Sequence, residues 1–223
     1  EILDSSLPGC IAFSFITLAW FQTSHISATM FSVSGLLLII NQTHSLLNMV
    51  YRDELTQIPN RRALLRDIRN TGNHYALAMV DVDHFKKIND QHGHDLGDQV
   101  LRAIASKLNQ VSGGGKAYRF GGEEFCILFR GRTQEQVLDH LETLRQTISE
   151  YDMTARDRKN RPWVQNKGEK KRGASRRKGD IRATVSMGVA DSTIALDFNI
   201  VLKKADEVMY RAKQGGRNQI KQA

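Results

Sequence analysis

Cysteine is scarce: the 223 residues hold two, Cys10 and Cys126. One thiol in an apolar run and one in a strand-like stretch exclude a disulfide framework and read as buried hydrophobes of a reducing compartment. Also lacking is an apolar run of roughly 18 residues, the length of a confident membrane helix. Leu7 to Phe21 and Ile26 to Ile40 both fall short of it. Charge is missing from the same region, with no Asp, Glu, Lys or Arg between Ser5 and Val50. So long an uncharged stretch does not hide in a small soluble appendage. The expectation is an α-helical hydrophobic segment over residues 1–40, crossing the inner (cytoplasmic) membrane as a hairpin. Arg52, Arg61 and Arg62 would then mark the cytoplasmic side. A pair of core helices from a truncated sensor domain is the alternative. Residues 41–52, with Leu46, Leu47, Val50 and Tyr51 at helical spacing, read as a connector helix able to pair with its twin.

Acidic residues are outnumbered by basic ones, 24 to 32, but the imbalance is local. Asp152 to Asp180 carries eleven Lys or Arg against four Asp or Glu, which is +7 of the chain's formal +8. Low hydrophobicity with high charge does not repay ordering entropy, so this stretch reads as an extended hairpin or mobile insertion in the domain spanning 53–223. It would steer a polyanionic substrate, and no nucleic-acid partner is expected.

Against these absences stand four informative stretches. Arg119 to Phe125 reads Arg-Phe-Gly-Gly-Glu-Glu-Phe between two strand-like segments. Glycine permits positive φ or close approach of a ligand, and two adjacent carboxylates at a hairpin tip repel unless a cation joins them. Ala76 to Val80 is a continuous apolar run that suits a strand buried on both faces, and Asp81 ends it on a rigid sheet edge. Asp83, two residues on, is expected not to share an ion with Asp81. His92 to Asp98 is a polar loop shaped by Gly93 and Gly97, with Asp98 expected to cap a helix whose apolar positions are Leu101, Ile104, Ala105 and Leu108. Lys213 and Arg217 flank a Gly215-Gly216 stop after a helix with an apolar stripe of Val201, Leu202, Ala205, Val208, Met209 and Ala212. Both are ordinary C-terminal cations as well as candidate phosphate ligands. Taken singly, each stretch has a plain structural alternative, a solvated turn or a helix cap.

Together they resemble the GGDEF family, the bacterial diguanylate cyclases, over Asp53 to Asn218, about three quarters of the chain. The resemblance opens with Asp53-Glu54-Leu55-Thr56 and Asn60-Arg61-Arg62, where Gln57 and Ile58 replace the usual Gly and Leu. It continues through Asp81 to Asp90, Gly93-His94, Gly97-Asp98, Arg119 to Phe125, Thr184 to Ala190, and Ala205-Asp206 through Tyr210, Lys213, Gly216, Arg217 and Asn218.

The resemblance implies condensation of two GTP molecules, one on each of two facing subunits, into cyclic di-GMP with release of pyrophosphate. It implies two Mg2+ ions per half-site, replaceable by Mn2+, held by Asp81, the Val82 carbonyl, Glu123 and Glu124. It gives Glu123 the proton-acceptor position with Glu124 assisting, and has Lys86 neutralise the transferring phosphate. Lys213 and Arg217 grip the terminal phosphates, Asn89 and Asp98 read guanine, and Phe85, His94, Gly121 and Gly122 line the nucleotide site. A homodimer is then required for turnover. A receptor that binds nucleotide without turnover, or a docking module, is the alternative. The family's Arg-x-x-Asp product site falls on Ser112-Gly113-Gly114-Gly115, which carries no charge, so feedback through that site is expected to be weak or absent.

The fold class expected is α+β, an antiparallel palm-like (ferredoxin-like) sheet of the nucleotidyl cyclases and polymerases with helices packed on one face. Its coarse order is helix (Arg61 to Asn70), strand (Tyr75 to Asp81), helix (Asp98 to Gln110), hairpin (Gly115 to Phe129), helix, basic insertion, strand (Ile181 to Ala190) and helix.

Overall fold

The computed structural model describes residues 11, 12, 15, 26–154 and 180–223. The chain divides into two compact units, Glu1–Arg52 and Asp53–Ala223.

In the first unit, α1 (Ile26–Tyr51) is one uninterrupted helix. The membrane expectation is corrected here, and the inner-membrane location with it: among the described residues no helix is long and apolar enough to cross a membrane. With 26 residues α1 has the length, but the run Asn41-Gln42-Thr43-His44-Ser45 and Asn48 dilute its second half with groups that favour water. The first hydrophobic segment, Leu7 to Phe21, lies outside the described residues except at 11, 12 and 15.

The second unit is built on a five-stranded sheet. Its elements in chain order are α2 (Arg61–Arg69), β1 (Tyr75–Val82), α3 (Phe85–His92), α4 (His94–Leu108), β2 (Gly115–Gly121), β3 (Glu124–Arg130), α5 (Gln134–Ser149), β4 (Met153–Thr154), β5 (Asp180–Ile181), β6 (Val185–Asp191), α6 (Phe198–Gln214) and β7 (Ile220–Gln222). The strand order is β2-β3-β1-β6-β7. β1 pairs antiparallel with β3 and with β6, whereas β7 pairs parallel with β6. The sheet is therefore mixed, not antiparallel throughout; the three-residue β7 returns from the end of α6 and has too short an apolar pattern to be read from sequence.

Helices cover both faces, which corrects the one-face expectation. On one side Ala76, Ala78, Val80, Phe125, Ile127, Val185, Met187 and Val189 join Val100, Leu101, Ile104 and Leu108 of α4 and Val137, Leu141 and Ile148 of α5 in a single core. The alternate residues Leu77, Met79, Tyr118, Cys126, Leu128 and Gly188 face α2 and α6. That double burial is why β1 is apolar at successive positions instead of alternating: all eight of its residues are buried.

The face under α2 carries a buried carboxylate. Asp67, 6% exposed, accepts from Lys116 Nζ at 2.7 Å and Tyr118 Oη at 2.8 Å on one oxygen, and from Arg66 on the other. Burial opposes its ionisation, but the hydrogen bonds from Lys116, Tyr118 and Arg66 outweigh burial and hold the carboxyl down to about 2. A depressed carboxyl stabilises the fold above its unfolded value of 3.8, and that share disappears as pH falls through about 2. Asp67 is therefore expected to give up about 2 kcal/mol over this window. Urea melts between pH 5 and pH 2 should show a steep loss in the native chain. Asp67→Asn should be less stable at pH 5 and give a flatter profile below it.

The basic insertion leaves and rejoins the domain as a two-stranded ribbon, Met153 pairing with Ile181 and Thr154 with Asp180. Residues 155–179, which hold most of the expected insertion, lie outside the described residues. The strand expected over Ile181 to Ala190 is thus two: β5 belongs to this ribbon, and β6 to the main sheet.

Candidate active site

Asp81 stands at the end of β1, where its Cα is paired with Glu124 on β3 and Ser186 on β6. Directly paired antiparallel residues lie about 4.5–5.5 Å apart at Cα, so the β1 end and the acidic hairpin tip are immediate neighbours. The Val82 N–H donates to the Glu123 carbonyl at 3.3 Å and locks the tip to β1. α6 lies over this face and places Lys213 Nζ 2.8 Å from Asp81 Oδ2. Asp81 is 4% exposed. Burial, with Glu123 and Glu124 adding and Lys213 opposing, pushes its carboxyl up to about 6. Burial also raises Glu123; Lys213 opposes this and Glu124 adds to it. Three acids thus lie near enough for their charges to disfavour one another and favour a cation.

Among the described residues no three His, Cys, Asp or Glu side chains are close enough together to hold a metal ion by themselves. The donor set nevertheless fits a hard divalent cation of the kind held by one or two carboxylates, with substrate phosphates and water completing the shell. Asp81 with Glu123 or Glu124 supplies that number.

The hairpin tip is clamped from outside. Arg119 donates through Nε and Nη2 to the Gly122 carbonyl, at 3.2 and 2.7 Å, and through Nη1 to Asp53 Oδ1 at 2.7 Å. Asp53 Oδ1 also accepts from the Thr56 amide and hydroxyl. Asp53 and Arg119 were legible as motif members, and their contact across 66 residues was not. Gln57, in the place of the expected Gly, sits at φ 61 in the left-handed region, which accounts for glycine being the residue usual there.

A second cluster forms where α3 meets α4. α3 was missed from sequence; Phe85, Ile88 and Asn89 at i, i+3, i+4 are its only signal. Asp98 does not cap α4: the helix starts four residues earlier, after Gly93 at φ 83, and Asp98 falls in its second turn. The loop reading failed because Gly97 looked like a breaker. Instead, a Cβ at Gly97 would overlap Asn89 Oδ1 and lie 3.2 Å from Phe85 Cζ, so glycine here admits both side chains against α4. Asn89 Oδ1 is buried against Gly97, an acceptor with no hydrogen-bond partner among the described residues. Lys86 and His94 are exposed at the starts of α3 and α4, and Arg217 is exposed after α6. The structure therefore gathers Asp81, Val82, Glu123, Glu124 and Lys213 in one place and seats Phe85 and Asn89 against Gly97, the residue before Asp98, in another.

The family model described as diguanylate cyclase, GGDEF domain, matches residues 50–165. The chain belongs to the GGDEF family. Diguanylate cyclase VdcA of Vibrio cholerae is 33% identical over 172 residues, 75% of this chain and 45% of that protein. Probable diguanylate cyclase DgcI of Escherichia coli is 31% identical over 186 residues, 81% of this chain and 35% of that protein. The chain thus spans less than half the length of these relatives. Among solved structures, the coiled coil and GGDEF domain of DgcB from Caulobacter crescentus, in complex with c-di-GMP, aligns with a TM-score of 0.73 at 26% identity, covering 90% of this chain and 100% of that one. The active GGEEF domain of a diguanylate cyclase from Vibrio cholerae aligns with a TM-score of 0.55 at 26% identity, covering 74% and 97%. This GGDEF chain likewise reads Gly-Gly-Glu-Glu-Phe, from Gly121 to Phe125.

Proposed function

We propose that this GGDEF domain is a diguanylate cyclase: each of two subunits holds one GTP, and each 3'-hydroxyl attacks the α-phosphorus of the other nucleotide, giving cyclic di-GMP and two pyrophosphates. The observation that carries the reading is the convergence of Asp81, Glu123 and Glu124 at adjoining strand ends under Lys213. Mg2+ bound there, two ions per half-site or Mn2+ in their place, would neutralise phosphate charge and make the 3'-hydroxyl easier to deprotonate.

The residues supply the rest. Asp81, the Val82 carbonyl, Glu123 and Glu124 would share the oxygen ligation between two ions, each ion drawing on one or two of the carboxylates and on phosphate, and Glu123 would accept the proton from the hydroxyl. Burial raises its carboxyl above the ordinary glutamate value, which makes it a stronger proton acceptor than an exposed one. Lys213, already paired with Asp81, and Arg217 beyond the end of α6 take the terminal phosphates, while Lys86 faces the transferring one. Gly121 and Gly122 let the tip backbone approach the nucleotide, with φ +21 at Gly122. Guanine lies across Phe85 and His94, where Asn89 and Asp98 receive its N1–H and N2–H donors. Asp98 is free for this because Gly93, and not Asp98, begins α4.

The reaction needs a second nucleotide and so a second subunit. α1 supports a homodimer: Ile26, Thr29, Val33, Leu36, Ile40, Thr43, Leu47 and Val50 recur at alternating spacings of three and four, the seam of a two-stranded coiled coil. A reading as nucleotide receptor without turnover is not favoured, since both the acidic pair and the lysines are in place. Incubation with GTP and Mg2+, followed by chromatography, tests the proposal; cyclic di-GMP and pyrophosphate should appear in a 1:2 ratio, and GTP left unconsumed would defeat it.

A further inference from the structure

Asp83 has no part in the cation site just described, yet it is as buried as Asp81, at 4% exposure. Its oxygens are already filled. Oδ1 accepts from Ser186 Oγ at 2.6 Å, and Oδ2 accepts from Thr184 Oγ1 at 2.7 Å and from the Asn218 amide at 3.0 Å. The first two bonds tie the end of β1 to the start of β6. The third crosses 135 residues to the turn that follows α6.

That turn is strained. Gly216, Arg217 and Asn218 are consecutive residues at φ 114, 64 and 44. A left-handed conformation is unfavourable for a non-glycine residue, and two in succession persist only where the surroundings over-determine them. Here the surroundings do so from three sides. The Arg217 amide donates to the Ala212 carbonyl at 3.1 Å. Asp83 holds the Asn218 amide. Arg145 of α5 donates through Nη1 to both the Asn218 carbonyl, at 3.1 Å, and its Oδ1, at 2.7 Å. Arg145 is fixed in turn by Glu142, whose two oxygens take its Nε and Nη2. The residue these bonds immobilise is Arg217, whose own side chain is exposed.

We propose that Asp83 and Arg145 are positioning residues that hold the Arg217 turn so that its guanidinium meets the nucleotide's terminal phosphates. The inference rests on the reading of this site as a GTP site, and it assigns the second aspartate of Asp81-Val82-Asp83 to the phosphate grip, not to a cation. The strain explains why two anchors are needed: without them the turn relaxes to right-handed backbone and carries Arg217 from its place.

Asp83→Ala, Asp83→Asn and Arg145→Gln in the full chain test it. Asp83→Ala should raise KM for GTP about tenfold, the weight of a lost charged contact, with kcat changed less than threefold. Binding of GTP measured by calorimetry should weaken while binding of GMP, which lacks the terminal phosphates, stays as in the native chain. Asp83→Asn keeps an oxygen for the Asn218 amide and should behave as native. Arg145→Gln should reproduce the KM effect, and it decides the matter should Asp83→Ala fail to fold. Hydrogen exchange at the Asn218 amide should quicken in Asp83→Ala and not in Asp83→Asn. Unchanged exchange, or native GTP affinity in Asp83→Ala and Arg145→Gln, overturns the proposal. So does loss of turnover in Asp83→Asn with GTP binding intact, the mark of a cation ligand. A native chain that binds no GTP refutes the GTP reading instead, and exchange at Asn218 still decides whether Asp83 holds the turn.

Discussion

Replacing Glu123 by Gln is expected to lower the rate of cyclic di-GMP formation by at least about a thousandfold, some 4 kcal/mol of barrier, with the fold intact. The substitution keeps shape and volume at the hairpin tip and removes one charge. Two losses then coincide: the cation loses a ligand, and the attacking hydroxyl loses its proton acceptor. Neither is replaced by Glu124, which lies on the next residue of β3, paired with Asp81. Stability should move the other way. Burial and Glu124 already disfavour the Glu123 charge, so Gln at this position relieves repulsion and should leave Tm unchanged or slightly raised. Circular dichroism melts beside product chromatography check both halves. Retained turnover in Glu123→Gln would remove Glu123 from the chemistry, and a collapse of Tm would make it a structural residue.

The largest effect on stability is expected at Gly188. This residue lies in the middle of β6, opposite Met79 of β1, with α6 packed directly upon it. A Cβ there would overlap the Ala205 carbonyl oxygen and the Met209 nitrogen and would stand 2.7 Å from Met209 Cα. These are backbone atoms of a helix, with no rotamer to change, so the whole of α6 must retreat from the sheet. Overpacking of this kind costs about 3 kcal/mol. For a domain of this size that is a fall in Tm of about 6–12 °C. Gly188→Ala should show this fall, whereas Gly35→Ala, at a glycine of α1 with nothing within 4 Å, should not. Activity should drop beyond what unfolding explains, because Lys213 is carried one turn along the same helix and would be drawn away from Asp81. A Gly188→Ala chain as stable as the native one would show that α6 does not bear on the sheet as described.

The sheet core was readable because its signal is local. An apolar run as long as Ala76 to Val80 ended by Asp81 suits a strand buried on both sides, and Gly-Gly-Glu-Glu between two strand patterns suits a hairpin turn. The same run contained the correction to the one-face arrangement, since full burial of β1 requires a second helical layer. α3 and β7 escaped because eight and three residues carry too little periodicity. The hydrophobic α1 misleads in a different way: its absence of charge reads as membrane affinity, while uncharged polar residues from Asn41 to Ser45 interrupt the apolar run.

Residue chemistry and spacing alone determined the acidic hairpin, the aspartate at a strand end, the basic pair after the last helix and their resemblance to the GGDEF family, because each is carried by neighbours in sequence. Only the tertiary structure decided which groups meet: Arg119 with Asp53, Lys213 with Asp81, Asn89 with Gly97, and Asp83 with Asn218. Those contacts join residues from eight to 135 positions apart. Pairing across such distances is set by how helices seat on a twisted sheet, a property of the packed core that no local pattern encodes.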